Sequence, residues 1–529
     1  MSADLASPLV KLEALNVSLS SKTILENISF TLQAGQCWLV SGANGAGKST
    51  FLKLVRGELW PDVGIGSREF ALVGDEPRSS PIGVRERIAL VGPESQDRLV
   101  RLELPLEGLE VVQSGVHQTD FLQYPLEPDQ LARVEKLLRD MNLEHLRERR
   151  ISQMSKGQLR RILLARALAG KPRVLILDEC FSGIDPESRT DLMRGVDDAV
   201  CDGLTVIYTT HRLEERLETT SHELHLERGR TVKIGPFVGN SESAERLASF
   251  GTNHAQVSKL EPLIEIEHAD VYLGEVLGSE TAPDGMGAAS KKRVLEQISW
   301  RVFPGEQWAI IGHNGAGKST LAKLVLGEIS PAHDSKGGGV VRRFGRERMA
   351  IWERQSRIGL ISSDVQIRHC VDAPGRVIVA SGLGGSVGWV RDLEPEQWRR
   401  VDQLLAALGI SDLRDRSALQ TSHGQLKKLL IARALVSNSE IVILDEPFDY
   451  LDAHSRNLLL ELIERESQRT QFITVAHRLE DIPRNVTHGL WLEAGRVRFA
   501  GSLPELLARA PQFADRGKIR EKRKDERGK

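Results

Sequence analysis

The sequence predicts an α/β protein with two tandem domains, each with a mainly parallel β-sheet core. The first observation is a glycine-rich stretch that occurs twice, each time after a short apolar run, at 38–40 and 309–311. The second is a set of continuous apolar runs such as 174–177, which are typical of parallel strands covered on both faces. The third is that both halves carry the same features in the same order. The two stretches are Gly42, Ala43, Asn44, Gly45, Ala46, Gly47, Lys48, Ser49 and Thr50, and Gly312, His313, Asn314, Gly315, Ala316, Gly317, Lys318, Ser319 and Thr320.

Both stretches fit the pattern G-x-x-x-x-G-K-[ST], which forms a phosphate-binding loop. The glycines let successive backbone N–H groups point to one centre, and the following helix adds the positive end of its dipole. Lys48 and Lys318 can then reach the β- and γ-phosphates, and Ser49 and Ser319 can ligate Mg²⁺. A glycine turn before an ordinary helix is the alternative, but two copies in equivalent contexts favour nucleotide binding by each half.

The second half repeats the first with an offset of 266 to 270 residues at five motif positions. A register held this closely indicates a duplicated domain. We predict a first domain at 1–245, a linker at 246–262, a second domain at 263–505 and a basic tail at 506–529. The insert at 274–291 is rich in Gly, Ala and Ser and is predicted to be a surface loop.

The pattern along the first half predicts its elements in order. Short β segments are predicted at 10–15, 28–32 and 37–40. Helical spacing over 51–55 predicts a helix that ends near Gly57, because glycine readily takes the left-handed position after a helix. A polar loop is predicted over 57–82 and a strand at 87–91. Helices are predicted within 97–170, most clearly at 131–146 and 158–168, and strands at 174–177 and 205–210.

Composition excludes several classes of protein. The 529 residues carry a net charge of −2, so nothing draws the whole chain to nucleic acid or to an anionic membrane. No stretch approaches the ~20 apolar residues of a membrane helix, and the first residues do not resemble a signal segment. Four scattered cysteines argue against a zinc site or a disulfide framework and favour a reducing compartment. We expect a cytoplasmic protein, peripheral at most to the inner face of a membrane.

Five further features recur in both halves. Each half has a glutamine after a predicted strand, an S-x-G-Q segment, a D-E pair at the end of an apolar run, an aspartate after that pair, and a histidine at a strand end. Together with the phosphate loops they resemble the ATP-binding-cassette (ABC) ATPases over nearly the whole chain. The matching positions are Gln96 and Gln366 (Q-loops); Ser155, Gly157, Gln158, Ser422, Gly424 and Gln425 (signatures); Asp178, Glu179, Asp445 and Glu446 (Walker B pairs); Asp185 and Asp452 (D-loops); and His211 and His477 (switch histidines).

The resemblance implies an antiparallel β subdomain and a helical subdomain in each half, with ATP and Mg²⁺ as cofactors. It implies that Asp178 and Asp445 hold Mg²⁺ together with the loop serines and the Q-loop glutamines. Glu179 and Glu446 would orient the attacking water, and the switch histidines would contact the γ-phosphate. A lone D-E pair is otherwise a common acidic strand end, and a strand-end histidine is more often structural. The repeated register favours the functional interpretation.

In the ABC family two cassettes close head to tail, so that the signature of one covers the nucleotide of the other. The resemblance therefore pairs Lys48 with Ser422, and Lys318 with Ser155. Because both lysines and both glutamates are present, we expect two hydrolytically competent sites.

Two departures from the family pattern stand out. Lys156 and His423 occupy signature positions where glycine is usual; such a side chain either points to solvent, the interpretation we favour, or assists the phosphate. Tyr272 lies where the second half would supply an adenine-stacking aromatic, whereas 16–21 has none. Since stacking on a base contributes about 1 kcal/mol or more, we predict weaker ATP binding at the Lys48 loop.

The resemblance leaves the cellular role open. The favoured hypothesis is the ATP-binding subunit of an ABC transporter that works with separate integral-membrane proteins, since finer matches at 56–61, 111–115, 160–168 and 446–449 resemble tandem molybdenum-transport-type and photorepair-type proteins. The alternative is a cytosolic ABC ATPase outside transport, of the photorepair type or a translation or remodelling factor. The translation-type ABC-F class carries a long helical arm between its cassettes, for which 246–262 is too short, so neither ribosome nor nucleic acid is an expected partner. A slow, nucleotide-gated scaffold is disfavoured by the two glutamates.

Overall fold

A computed structural model describes most of the chain. The insert at 274–291, nearly all of the predicted linker at 246–262 and most of the predicted tail at 506–529 lie outside the described residues. The chain divides into two compact units, residues 1–243 with 450–454 and residues 244–449 with 455–529. The described residues are 8–19, 22–73, 77–101, 104–119, 121–122, 124–184, 186–210, 212–237, 261–273, 292–313, 315–332, 339–361, 372–384, 390, 393–449, 451–476 and 481–510.

The described residues of the first unit form two sheets. Its strands are β1 (Val10–Leu19), β2 (Lys22–Leu32), β3 (Cys37–Ser41), β4 (Ser67–Phe70), β5 (Ile88–Val91), β6 (Val174–Leu177), β7 (Thr205–Thr209), β8 (His222–Glu227) and β9 (Arg230–Pro236). The six-stranded sheet has the order β5-β6-β7-β3-β8-β9, in which only the β8–β9 pair is antiparallel. The order β2-β1-β4 forms a separate antiparallel sheet.

Burial on both faces explains the continuous apolar sequence of the central strands. Along β6, Val174 and Ile176 belong to one hydrophobic cluster, and Leu175 and Leu177 belong to another. Successive side chains of a strand point to opposite faces of the sheet. One cluster packs against helices and the other against the small antiparallel sheet. Because both faces of β6 are buried, a polar residue at any of its positions would be buried, and the strand is therefore apolar throughout.

The helices of the first unit connect these strands and form a helical subdomain. They are α1 (Lys48–Val55), α2 (Pro93–Arg101), α3 (Gly108–Ser114), α4 (Pro128–Asp140), α5 (Lys156–Ala169) and α6 (Pro186–Cys201), with short 3-10 turns at Glu144–Leu146, Ile151–Gln153 and Leu213–Glu215. Helices α3 and α4 pack on α5, whose apolar residues lie in the same cluster as one face of β6. This packing fixes α5 relative to the ends of the sheet.

The second unit repeats this arrangement. Its six-stranded sheet has the order β14-β15-β16-β12-β17-β18 and its antiparallel sheet the order β11-β10-β13. The strands are β10 (Ile264–Leu273), β11 (Lys292–Val302), β12 (Trp308–Ile311), β13 (Val340–Arg343), β14 (Ile358–Ile361), β15 (Ile441–Asp445), β16 (Gln471–Val475), β17 (His488–Glu493) and β18 (Arg496–Ser502). The helices are α7 (Lys318–Leu326), α8 (Ile351–Arg357), α9 (Gly375–Ala380), α10 (Pro395–Ala407), α11 (His423–Val436), α12 (Ala453–Glu466) and α13 (Leu503–Arg509), with 3-10 turns at Ser381–Gly384, Ser411–Leu413 and Ala418–Gln420.

The predicted fold class is confirmed, with corrections inside it. The loop predicted over 57–82 is wrong in part, because β4 lies within it and pairs antiparallel with β1 through the backbone, with the side chains of Arg68 and Phe70 buried. The helix predicted over 131–146 ends at Asp140, and Asn142 follows with a left-handed φ of 52°. Within the described ranges, no helix combines the length and apolar character needed to cross a membrane.

Candidate nucleotide-binding and hydrolysis sites

The first phosphate loop follows β3 and leads directly into α1. Gly42, Gly45 and Gly47 have φ values of 143°, 81° and 100°, in the region that favours glycine. The loop is closed by a hydrogen bond from the Ala46 N–H to the Ala43 carbonyl at 3.1 Å. The Gly229 N–H, in the turn between β8 and β9, donates to the Ala46 carbonyl at 3.1 Å. The sheet therefore holds the loop in its curled conformation.

Lys48 lies beneath this loop and is almost fully buried. Its ammonium group donates to the carbonyl oxygens of Gly42 at 2.9 Å and Ala43 at 3.1 Å. Desolvation lowers the pKa of Lys48, and the carboxylates of Glu179 and Asp178 oppose this shift. A cation that is held close to loop carbonyls and near two acids lies where a phosphate chain on the loop would meet it.

Ser49 and Asp178, both expected to hold Mg²⁺, are brought together. The Ser49 hydroxyl donates to Asp178 Oδ2 at 2.7 Å. Desolvation and the neighbouring Glu179 carboxylate raise the pKa of Asp178, while hydrogen bonds from Ser49 and Thr209 and the charge of Lys48 oppose the rise. A hydroxyl beside a carboxylate is the hard oxygen donor set that suits Mg²⁺, so these residues fit the ion.

Glu179 has an unusual backbone conformation directly after β6. Its φ is 47°, in the left-handed region that a non-glycine residue rarely adopts. Its N–H donates to the Thr209 hydroxyl at 2.8 Å, and its carbonyl oxygen accepts from the guanidinium of Arg160 at 3.1 Å. Thr209 also donates to Asp178 Oδ1 at 2.8 Å.

Gln96 lies in α2 and is connected to the same network. Its Oε1 accepts a hydrogen bond of 2.7 Å from Nε of Arg160. The structure therefore brings together the loop residues Lys48 and Ser49, the acids after β6 and the Q-loop glutamine.

The second unit has the equivalent loop geometry. Lys318 Nζ donates to the carbonyl oxygens of Gly312 at 2.8 Å and His313 at 2.9 Å. Asp445 ends β15, and Glu446 follows with a φ of 53°. The Glu446 carbonyl accepts from Lys427 Nζ at 2.5 Å.

Each signature serine caps a helix. Ser155 precedes α5, and its hydroxyl accepts from the Gln158 N–H at 3.2 Å while the Gln158 side chain accepts from the Ser155 N–H at 3.0 Å. Ser422 and Gln425 repeat this reciprocal pair before α11, at 3.3 and 3.0 Å. The motif is thus a capping box, which leaves a serine hydroxyl at the positive end of a helix.

Tyr272 lies near the end of β10 and is substantially exposed. Strand pairing matches Val10 of β1 with Leu32 and Ile264 of β10 with Val302, which places Ser18 at the position of Tyr272. Ser18 instead donates to Asp62 Oδ2 at 2.8 Å. The weaker ATP binding expected at the Lys48 loop stays a prediction.

Several predicted site residues lie outside the described part of the chain. By contrast, the D-loop aspartate Asp452 is among the described residues and is buried, and Lys156 is also described and is the first residue of α5. The residues outside are Asn314, Gln366, Asp185, His211 and His477, together with the side chain of His423. Their assigned roles stay predictions.

Thr209 and Arg160 are two further site residues that the sequence pattern does not single out. Thr209 looked like one more residue of an apolar strand, and Arg160 like one of several basic residues on a helix. Neither side chain belongs to one of the ATPase motifs. Arg160 lies in the finer match at 160–168, but its contact, like that of Thr209, depends on which strands and helices are neighbours. The capping box could have been found, since the spacing S-x-x-Q before a helix is its sequence signature.

The fold and these loops define a class of protein that binds nucleotide at two sites, one on each of two P-loop domains of the same chain. The family model described as ABC transporter matches residues 25–182 and 295–449, together more than half of the chain. The chain therefore belongs to the ABC transporter family, and its two cassettes are ATPase domains.

Curated relatives span nearly the whole chain. The ABC transporter ATP-binding protein ModF of Escherichia coli K12 is 28% identical over 89% of this chain and 94% of its own length. A putative ABC transporter ATP-binding protein of Treponema denticola is 27% identical over 91% of this chain and 95% of its own length. The putative HMP/thiamine import ATP-binding protein YkoD of Bacillus subtilis is 24% identical over 94% of this chain and 92% of its own length.

We predict that Gly42→Ala destabilises the protein much more than Gly45→Ala. A Cβ at Gly42 would lie 2.3 Å from the Leu226 carbonyl oxygen, whereas a Cβ at Gly45 meets nothing within 4 Å. Both variants place a side chain on a backbone with positive φ, which costs on the order of 1–3 kcal/mol, but only the first also forces β8 away, at about 1–3 kcal/mol more. Thermal denaturation of the two variants measures the difference, and equal midpoints would contradict the steric argument.

We predict that Asp178→Asn stabilises the nucleotide-free protein increasingly as the pH rises. The pKa of Asp178 is raised from its ordinary value of 3.8, so the folded state holds this proton more tightly than the unfolded state. The contribution of this carboxyl to stability therefore falls as the pH rises above that value, whereas asparagine does not titrate. The difference in thermal midpoint between variant and parent should be larger at about pH 8 than at about pH 5.

The exposed Asp202 supplies the matched control. Asp202→Asn removes a carboxyl that lies in solvent, so it controls for the loss of one negative charge without a buried site. A difference for Asp178→Asn that is constant, or that shrinks as the pH rises, would contradict the assignment of a costly charge to this carboxyl.

Proposed function

We propose that the chain is the ATP-hydrolysing subunit of an ABC transporter and works with separate membrane proteins. The observation that carries the proposal is the contact between Ser49 and Asp178, beside Lys48 and Glu179, at the carboxyl end of the parallel sheet. Its relatives in Escherichia coli and Bacillus subtilis are named as transporter or import ATP-binding proteins.

In this mechanism the phosphate loop binds the triphosphate through its N–H groups, and Lys48 donates to the β- and γ-phosphate oxygens. Ser49, Asp178 and Gln96 would hold Mg²⁺, which supplies charge neutralisation at the transferring phosphoryl group. Glu179 orients the attacking water. Catalysis here is mostly positioning and electrostatic stabilisation, so the fixed backbone of the acids matters as much as their charge.

The second cassette performs the same steps with its own groups. Lys318 binds the phosphates, Ser319, Asp445 and Gln366 would hold Mg²⁺, and Glu446 orients the water. His211 and His477 contact the γ-phosphate in their respective cassettes. We further propose that each site is completed by the signature serine of the other cassette.

We predict that Glu179→Gln and Glu446→Gln each remove part of the steady-state ATP turnover, and that the double variant loses nearly all of it. Each amide keeps the size of the carboxyl but loses the charge that orients water. Turnover by phosphate release and nucleotide binding by calorimetry are measured together. Undiminished turnover in the double variant would overturn the catalytic assignment.

The completed sites are tested in the same backgrounds. With Glu446→Gln present, Ser422→Ala should reduce the remaining turnover more than Ser155→Ala, and with Glu179→Gln present the order should reverse. Because both serines cap their helices in the same way, each variant is the matched control for the other. The same order in both backgrounds would contradict the pairing.

We predict that the chain co-purifies with a multi-span membrane protein when it is isolated from its own cells in mild detergent. The Glu179→Gln, Glu446→Gln double variant is used because it should hold nucleotide without turnover. Recovery of the chain with ribosomes, or alone, would favour the alternative of a cytosolic ABC ATPase outside transport.

A further inference from the structure

We propose that Thr209 and Arg160 are positioning residues that hold the main chain of Glu179 in its left-handed conformation and tie it to Gln96. The proposal rests on the proposed function, in which Glu179 orients the attacking water. It adds two residues that act through Glu179 and that lie outside the phosphate-loop, Q-loop, signature, Walker B, D-loop and switch motifs.

The backbone of Glu179 needs such support. A non-glycine residue with a φ of 47° costs about 1–2 kcal/mol, and a strained conformation of this kind persists only when surrounding contacts determine it. Glu446 has the same conformation, with a φ of 53°. Glu179 and Glu446 are therefore both held in a backbone conformation that residues other than glycine do not favour.

Thr209 supports the N–H side of Glu179. This threonine ends β7 and is fully buried. Its hydroxyl donates to Asp178 Oδ1 and accepts from the Glu179 N–H, both at 2.8 Å. Since a hydroxyl has one hydrogen to donate, the bond to Asp178 leaves its lone pairs directed to the N–H. The Thr209 hydroxyl thus fixes the orientation of the peptide group between Asp178 and Glu179, while Asp178 Oδ2 accepts from Ser49.

Arg160 supports the carbonyl side. It lies in the second turn of α5 and is almost fully buried. One guanidinium nitrogen donates to the carbonyl oxygens of Glu179 at 3.1 Å and Cys180 at 2.6 Å, and Nε donates to Gln96 Oε1 at 2.7 Å. Because the guanidinium is planar and rigid, these bonds fix Gln96 and Glu179 relative to each other and to α5.

The second cassette supports its glutamate with different groups. Trp38 pairs with Ile207, and Trp308 pairs with Ile473, so Val475 lies at the position of Thr209. The Glu446 N–H there donates to the Val475 carbonyl at 3.4 Å. Lys427 is the fifth residue of α11, as Arg160 is of α5, and it donates to the Glu446 carbonyl. The second cassette therefore indicates which substitutions to make in the first, namely Thr209→Val and Arg160→Lys.

The experiment uses the full chain with Glu446→Gln, so that turnover depends on Glu179. Thr209→Val, which is nearly isosteric, should lower kcat about tenfold, the effect of losing one or two hydrogen bonds that position the reacting group. KM and the affinity for a non-hydrolysable ATP analogue should change less than threefold. Thr209→Ser, which keeps the hydroxyl, should restore kcat to within about twofold.

Thr205→Val is the matched control for a lost buried hydroxyl on the same strand. The Thr205 hydroxyl accepts from the Gly35 N–H at the opposite end of β7. The Thr205→Val variant should have a lower thermal midpoint but an unchanged kcat.

Arg160→Lys should lower kcat as Thr209→Val does. A lysine ammonium group cannot replace the planar guanidinium, which donates to Gln96 and to two carbonyl oxygens at once.

The outcomes separate this inference from the proposed function. If Glu179→Gln leaves turnover unchanged in this background, the catalytic assignment of Glu179 fails. If Glu179→Gln abolishes turnover but Thr209→Val lowers kcat no more than Thr205→Val does, the positioning role is overturned. A change in KM or analogue affinity with unchanged kcat would also overturn it, because it would indicate a binding role.

Discussion

The site depends on one constraint, the parallel pairing of β6, β7 and β3 within a sheet buried on both faces. Parallel strands end at the same edge, and ligands of open α/β sheets bind at the carboxyl ends of the strands. The phosphate loop therefore leaves β3 beside the acids that leave β6, and the strand between them contributes Thr209. The hydrogen bond from Ser49 to Asp178 is the direct consequence of this order.

The duplication keeps the architecture but varies the contacts that hold the acids. Both cassettes place the loop lysine under its own carbonyls and both place a glutamate in a left-handed backbone. The first holds that glutamate with a hydroxyl and a guanidinium, and the second with a main-chain carbonyl and an ammonium. The chemistry demands the position of the carboxylate, and more than one set of neighbours can provide it.

Much of the fold could be predicted from the sequence because its signals are local. Continuous apolar runs marked β6 and β7, and Gly57 marked the end of α1, where it has a φ of 76°. Strand β4 was missed because its four residues alternate between exposed and buried positions within a polar stretch, and only pairing with β1 makes them a strand. The break after α4 was missed because the apolar spacing continues through the turn at Asn142.

The sequence by itself determined that the chain has two phosphate loops in matching halves, because a loop that curls around phosphate needs glycines, lysine and serine at fixed spacing. It also determined the acids, since they directly follow buried apolar strands. Only the tertiary structure decided what holds them. Thr209 and Arg160 are distant from Glu179 along the chain, and their contacts exist because the sheet order and the packing of α5 bring separate segments within hydrogen-bonding distance.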